Sequence, residues 1–234
     1  MTAIFKRELH SYFTNGIGYV YCAVFALVMN LFYYLNSITM YQSSFLYIFN
    51  IMLIAMIFLI PIMMMRIWSE EKKQKTDQLL LTAPVTTMDI VLGKFWAAMC
   101  VFLISLSLTL IYPILSIIYG TPEPAITIGN YIAVILAAGA YIAISQFMSS
   151  LTESQIISAL LSMLTLSLFF FLNLIFESTD IDIIAQVASF LSIITRYVNF
   201  FQGMFSLSDV VYFISLTVLF LFFTSRVVDK RRWS

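Results

Sequence analysis

Two long stretches without charge limit what this chain can fold into. Residues 9–65 and 95–122 contain no Asp, Glu, Lys or Arg, and only His10 could ionise within them. Each is longer than the roughly 20 apolar residues with which a helix crosses a bilayer. The runs are continuous, whereas strands of a membrane β-barrel alternate over segments of about ten residues. With 62% hydrophobic and 10% charged residues, the sequence predicts an all-α, polytopic membrane protein.

A charged island, residues 66–94, separates the two stretches. It holds nine of the 24 charged residues (12 basic plus 12 acidic), namely Arg66, Glu70, Glu71, Lys72, Lys73, Lys75, Asp77, Asp89 and Lys94. A charge at the centre of a bilayer costs roughly 2.5–3.5 kcal/mol even on the mildest scale. We therefore expect the island to be exposed to water between two membrane hairpins.

Six transmembrane helices account for the apolar sequence. We place them at about residues 17–36, 45–67, 92–119, 131–149, 155–176 and 209–226, joined by outer turns at 36–44 and 120–130 and by an inner turn at 149–154. Eleven of the twelve basic residues then face one side, and only Arg196 lies opposite. Because basic residues favour the cytoplasmic side, we expect both termini there, in a single domain 1–234.

The segment 177–208 is apolar at helical spacing, but only thirteen uncharged residues separate Asp182 from Arg196. That length is short for a span, and a further span would move the basic C-terminus outside. We expect a helical segment on the extracytoplasmic face. The sequence leaves open whether it enters the bilayer.

The N-terminal residues 2–13 place apolar side chains at helical spacing, with Lys6, Arg7 and Glu8 among them. This pattern predicts an amphipathic helix along the inner membrane surface, with its basic residues near anionic headgroups. The alternative is a charged tail that only sets the topology. Asn15 and Gly16 should end the helix before the first span.

Chemistry of its own is not expected of this chain. It contains no GxxxxGK[ST] loop for a nucleotide, no HExxH motif and no Cys/His cluster. Cys22 and Cys100 fall within predicted spans, where they are expected to be small apolar side chains. We predict no catalytic, cofactor or metal site, so any energy must come from another subunit.

The charged island carries a family resemblance. The run WSEEKKQKTDQLLLTAPVTTMDIVLGK resembles the inner loop of type-2 ABC transporter permeases, in the short branch that includes gliding-motility-associated and copper/nitrous-oxide-associated permeases. Further matches are KREL-x-SYF at 6–13, IGYV at 17–20, YP at 112–113, SSLT at 149–152, DVVYF at 209–213 and RRW at 231–233. The pair Asn15–Gly16 departs from relatives that often have proline there, which softens the bend expected before the first span.

The resemblance implies a permease subunit, expected to be an exporter, in the bacterial plasma membrane. It implies a second permease subunit, identical or related, and two cytoplasmic ABC ATPase subunits that carry ATP and Mg²⁺. Membrane lipid surrounds the pair, an extracytoplasmic accessory protein is a further candidate partner, and no nucleic acid is expected. Contact with the ATPase is implied for the main loop and for the 149–154 turn, through Glu70, Glu71, Thr76, Leu79, Leu80, Pro84, Val85, Asp89, Ser150, Thr152 and Glu153.

Physical reasons accompany the implied coupling helix. Acidic residues at its start, Glu70 and Glu71, suit the helix dipole, and Leu79 to Leu81 offer an apolar face for a partner groove. Pro84 should end the helix, and Thr86 or Thr87 should cap the next one. The alternative is a solvated loop that only sets the topology.

A polar face along the fifth span is formed by Gln155, Ser158, Ser162 and Thr165, with Asn50 and Asn173 as further polar points. It marks either a cargo path or dimer seam, or ordinary helix packing with hydroxyls bonded to their own backbone. Two functions therefore compete. One is export of cargo, and the other is the relay of ATPase motion to an extracytoplasmic partner without cargo.

Overall fold

The computed structural model describes residues 1–35, 47–75, 85–119, 124–176, 189–204 and 206–232. Its helices are α1 (Thr2–Thr14), α2 (Ile17–Tyr33), α3 (Tyr47–Met64), α4 (Ser69–Lys73), α5 (Thr87–Ser107), α6 (Ile111–Tyr119), α7 (Pro124–Leu151), α8 (Gln155–Phe176), α9 (Ile193–Phe201) and α10 (Leu207–Arg232). The described ranges contain no strand, which confirms the all-α prediction.

Five helical stretches are long and apolar enough to cross a membrane. They are Tyr47–Lys73, Thr87–Leu115, Pro124–Leu151, Gln155–Asn173 and Leu207–Arg231. A sixth arises when α1 and α2 are counted together, although the pair is bent by 68°. The structure therefore supports a multi-pass membrane protein of five or six spans.

The bend between α1 and α2 falls where the sequence predicts a break. Gly16 adopts φ +75°, a left-handed conformation that favours glycine, and Asn15 is the C-terminal cap of α1. Helix α1 buries Ile4, Glu8 and Tyr12, one residue per turn on one face. It packs along this face against α5 and α2.

Helix α7 is the centre of the fold. It contacts α3, α5, α8, α9 and α10, and 72% of its most apolar 18-residue stretch is buried inside the protein. A run of small residues, 137–140, lies at its middle and lets neighbouring helices approach closely. Helix α8 is much more exposed, since only 28% of its most apolar 18-residue stretch is buried.

Several predicted boundaries need correction. The outer turn predicted at 120–130 is wrong for residues 124–130, which are the first turns of α7. Pro124 suits the first helical position because that position needs no N–H donor. The third predicted span begins earlier than residue 92, at Thr87, and the last continues beyond 226 to Arg232.

Two predictions about local structure are confirmed. The hydroxyl of Thr86 caps α5 by accepting a hydrogen bond from the Asp89 N–H at 3.1 Å. The segment predicted to be helical at 177–208 contains α9, while 177–188 lies outside the described residues.

A 3₁₀ turn, Leu108–Leu110, separates α5 from α6. Pro113 in α6 explains this turn, because the proline ring is incompatible with a regular α-helical turn directly before it.

Candidate functional site

The most unusual feature of the molecule is a buried ionic cluster at the end of the bundle where α1, α4 and α5 meet. The side chain of Lys94, on α5, is 0% exposed. Its Nζ lies 2.9 Å from Glu71 Oε1 and 3.4 Å from Glu8 Oε1. Arg7 completes the group at 2.5 Å from Glu8 and 3.2 Å from Glu71. We call these four residues the Lys94 cluster.

The cluster is balanced in charge, with two cations and two carboxylates. Lys94 Nζ also donates to the backbone carbonyl of Ile67 at 2.8 Å and lies 4.8 Å from the centre of the Trp68 ring. These contacts replace the water that a buried ammonium loses. The arrangement can hold the helices together.

Glu8 lies on α1, outside the five long helices. Burial by itself raises the pKa of the Glu8 carboxyl, but Lys94 and Arg7 outweigh burial and hold the pKa below its ordinary value. The carboxyl is therefore charged at neutral pH. The three predicted interfacial residues differ in exposure: Lys6 is exposed and Arg7 half-exposed, whereas Glu8 is buried within the protein.

The close approach of α1 to α5 depends on a glycine next to Lys94. A Cβ at Gly93 would lie 2.9 Å from Ile4 Cγ2, which is shorter than any ordinary contact. Glycine thus allows α1 to lie directly on α5, and Glu8 reaches Lys94 one turn further along α1. The N-terminal amine of Met1 lies 3.7 Å from Asp89 at the same crossing.

Helix α7 holds α4 from the other side. Lys72 Nζ donates to the backbone carbonyl of Ser150, and the backbone N–H of Trp68 donates to Ser149 Oγ at 3.3 Å. Gln146 Nε2 donates to the Val91 carbonyl on α5 at 3.0 Å. The first part of the charged island, residues 66–75, is therefore bonded to α1, α5 and α7.

The predicted coupling residues fall into three groups. Glu71 and Ser150 make internal contacts, with Lys94 and Lys72 respectively. Val85 is half-buried, Glu70, Asp89 and Thr152 are partly accessible, and Glu153 is 69% exposed beside Arg231. The remaining four, Thr76, Leu79, Leu80 and Pro84, lie outside the described residues.

Lys94 was not among the predicted site residues, although a signal for it exists. It is the last charge before a long apolar stretch, and it directly follows the glycine at the helix crossing. Glu8 had a signal as well, because it shares one helical face with Ile4 and Tyr12, at steps of four residues. What the sequence could not supply is the distance between the two side chains.

The polar face of α8 is mostly internal. Ser158 is 0% and Ser162 1% exposed. Ser162 Oγ donates to the Ser158 carbonyl and Thr165 Oγ1 to the Leu161 carbonyl, both at 2.8 Å. This geometry favours helix packing, the second of the two interpretations. The other three polar positions are partly exposed: Asn50, Gln155 and Asn173.

A second buried charge lies at the opposite end of the bundle. Asp209, at the start of α10, is 0% exposed and lies 3.1 Å from Arg196 Nη1 on α9. Asn199 Nδ2 donates to its other oxygen at 2.8 Å. The guanidinium carbon of Arg196 lies 4.8 Å from the centre of the Phe190 ring. We call Asp209, Arg196 and Asn199 the Asp209 brace.

Within the described ranges, no group of three or more His, Cys, Asp or Glu side chains could hold a metal ion. Cys22 and Cys100 are half-buried and free. In comparisons with known proteins, neither the protein-family models nor the curated proteins give a match to the chain.

Proposed function

We propose that this chain is the membrane subunit of an ATP-driven transporter, powered by separate ATPase subunits that bind the segment 66–94 in the cytoplasm. The resemblance of that segment to the inner loop of type-2 ABC permeases suggests the class. The observation that carries the proposal is the Lys94 cluster, because Glu71 in the segment is bonded to both α5 and α1. A chain that lacks a nucleotide-binding loop needs a rigid contact of this kind to receive motion from an ATPase subunit.

The contacts suggest how motion would travel. Charge-assisted hydrogen bonds join Glu71 to Lys94, and Lys72 and Trp68 tie the same short helix to α7. A partner that displaced α4 would therefore move α5 and α7 together, and α1 with them. Since α7 contacts most other helices, the displacement would reach the whole bundle.

The proposed assembly contains two permease subunits and two ATPase subunits, with ATP and Mg²⁺ on the ATPase. We favour export of a hydrophobic or amphiphilic cargo. The reason is that the charges of the described long helices lie in the two end groups or near helix ends, and the middle of the bundle is apolar.

The rival function is a relay of ATPase motion to an extracytoplasmic protein. The Asp209 brace supports it, because it fixes α9 to α10, which runs the length of the bundle. Helix α9 also packs on α7 and α8. Movement of α7 would thus be passed to α9 at the far end.

The proposal predicts that an ATPase subunit is encoded in neighbouring genes, and co-expression with that subunit tests it. Leu80→Asp should reduce co-purification of the ATPase at least tenfold, because it puts a charge on the apolar face expected to bind it. Leu80→Ile is the matched control and should keep the partner. Membrane levels of both variants should equal those of the unaltered chain, and equal co-purification of both would overturn the proposal.

Flux in reconstituted vesicles separates the two functions. Export requires ATP-dependent accumulation or flipping of a lipid-like cargo by the complex of permease and ATPase subunits. If ATP moves an extracytoplasmic partner without such flux, the relay is the correct function.

A further inference from the structure

A polar cleft of about 220 Å³ opens beside the Lys94 cluster, between α1, the start of α2 and the segment that joins α3 to α4. Arg66, in the turn that joins α3 to α4, and Glu70, on α4, both line it, and the backbone N–H of Glu70 donates to the Arg66 carbonyl at 3.3 Å. Glu8 and Glu71 line it too, but their charges are balanced by Lys94 and Arg7. The cleft thus presents one further cation and one further anion.

Arg66 and Glu70 are not used by the rest of the described chain. Neither makes an ion pair within 4.0 Å with a residue that the structure describes, and they do not pair with each other. The Glu70 carboxylate accepts a 3.3 Å hydrogen bond from Gln74 Nε2, which carries no charge. Arg66 and Glu70 therefore place two opposite charges in one cleft without pairing with each other. Such a cleft matches a ligand that itself carries a cation and an anion.

The cleft continues into an apolar groove between α2 and α3. The groove has a volume of about 440 Å³ and shares Asn15, Ile17, Met63 and Arg66 with the cleft. Leu59 joins it to a second apolar groove of about 510 Å³ further along the same two helices. Both volumes fall within the roughly 300–1,000 Å³ of ligand sites.

The groove follows the membrane-crossing direction. From Met63 to Ile51, α3 covers about 18 Å at ~1.5 Å per residue, which is close to one leaflet of a hydrocarbon core ~30 Å thick. Its walls are apolar and exposed, as Val20 at 63% and Phe58 at 53% illustrate. A long alkyl chain therefore fits the groove in direction and in chemistry.

We propose that the cleft and groove bind a phospholipid whose headgroup carries a primary amine. The phosphate lies on Arg66, the ammonium on Glu70, and one acyl chain in the groove past Leu59. Arginine suits phosphate because its planar fork donates two parallel hydrogen bonds. A lipid with only a negative headgroup would leave Glu70 without a partner.

This inference does not depend on the proposed ATPase partner, because binding is measured without nucleotide or other subunits. The full chain is purified in detergent and incubated with phosphatidylethanolamine, phosphatidylcholine or phosphatidylglycerol of the same acyl composition. Native mass spectrometry then counts retained lipid. We expect at least fivefold more phosphatidylethanolamine than either of the others.

Variants assign the site. Arg66→Ala and Leu59→Trp should each reduce retained phosphatidylethanolamine at least fivefold, and Glu70→Gln should abolish the preference over phosphatidylglycerol. Arg226→Ala and Leu164→Trp are matched controls, since both residues are exposed and line none of these cavities. Ile62→Trp, at the exposed side of the groove, replaces Leu59→Trp should the latter not fold.

Three outcomes would overturn the assignment. One is equal retention of the three lipids by the unaltered chain. Another is full retention by both groove variants. The third is a groove variant that converts a dimer to a monomer without loss of lipid, which would make the groove an interface between two copies of the chain.

Discussion

The Lys94 cluster and the Asp209 brace both bury charge, but the cluster joins segments far apart in the sequence and the brace joins two neighbouring helices. In the cluster, Lys94 meets Glu8 across 86 positions of sequence and Ile67 across 27. In the brace, Asp209 meets Arg196 across 13 positions and Asn199 across 10. The cluster therefore closes the tertiary structure at one end, whereas the brace fixes one short helix to its neighbour at the other.

The difference matters because a buried charge is tolerated only with its partners. A cluster built from three helices fails as a unit when one partner is removed, and every helix it joins is affected. A local brace that loses a partner releases a single helix. The two ends of the molecule should thus respond differently to equivalent substitutions.

The largest expected effect is that of Lys94→Met, which leaves Glu8 and Glu71 with Arg7 alone. Removing one partner of a buried ion pair typically costs about 3–5 kcal/mol. We expect a loss of this size in the free energy of unfolding, measured by denaturant titration of the purified chain in detergent.

Lys73→Met is the matched control, since Lys73 is exposed on α4 and should change stability by less than about 0.5 kcal/mol. A cycle with Glu71→Gln sharpens the test, because the double variant should lose less than the two single losses combined. Equal stability of Lys94→Met and Lys73→Met would show that the cluster does not hold the helices.

A smaller and local effect is expected for Asp209→Asn. The substitution weakens hydrogen bonds to a charged group, each worth about 1.5–3 kcal/mol, and Arg196 keeps its contact with the Phe190 ring. Amide hydrogen exchange should accelerate in α9, Ile193–Phe201, but not in α5. Ser208→Ala, at an exposed neighbouring position, is the control. Faster exchange in both helices would contradict the local character of the brace.

The smallest expected effect is the part of the Glu8 contribution to stability that depends on pH. Because the folded-state pKa of Glu8 is below its ordinary value of ~4.3, its ionised form stabilises the fold above that value, and the contribution disappears as pH falls through the folded pKa. The unaltered chain should therefore be more stable than Glu8→Gln at pH 7, and the difference should shrink below about pH 4. The melting temperature of both chains across pH measures it.

Glu153→Gln serves as the reference in that series. Its carboxylate is 69% exposed and pairs with Arg231 at 3.4 Å, so the pair contributes about 0–1 kcal/mol. No comparable pH-dependent difference is expected. A difference between Glu8→Gln and the unaltered chain that stays constant from pH 7 to below pH 4 would contradict the role of the Glu8 charge.

Much of the fold follows from local sequence. Span α8 begins and ends where the apolar pattern predicts, at Gln155 and Phe176. The break at Gly16 and the cap at Thr86 were also predictable, since glycine conformation and capping are properties of a few neighbouring residues. The turn predicted at 120–130 failed for its second half because Pro124 starts a helix as readily as it ends one.

The site was only partly predictable, as two adjacent residues illustrate. Glu70 and Glu71 both looked like solvated acids at the start of a coupling helix. In the structure both residues line the open cleft, but only Glu71 also reaches a fully buried lysine, at 2.9 Å. Nothing in their sequence neighbourhood distinguishes them, because the difference comes from where α5 passes.

The sequence by itself determined that this chain folds in a membrane and that the segments crossing it are helices. Long uncharged runs leave backbone groups no partner but their own helix. The tertiary structure alone decided which charges are buried and with whom, as in the meeting of Glu8, Glu71 and Lys94. Hydropathy is a sum over neighbours in the chain, whereas an ion pair depends on a few ångströms between segments that the chain order keeps apart.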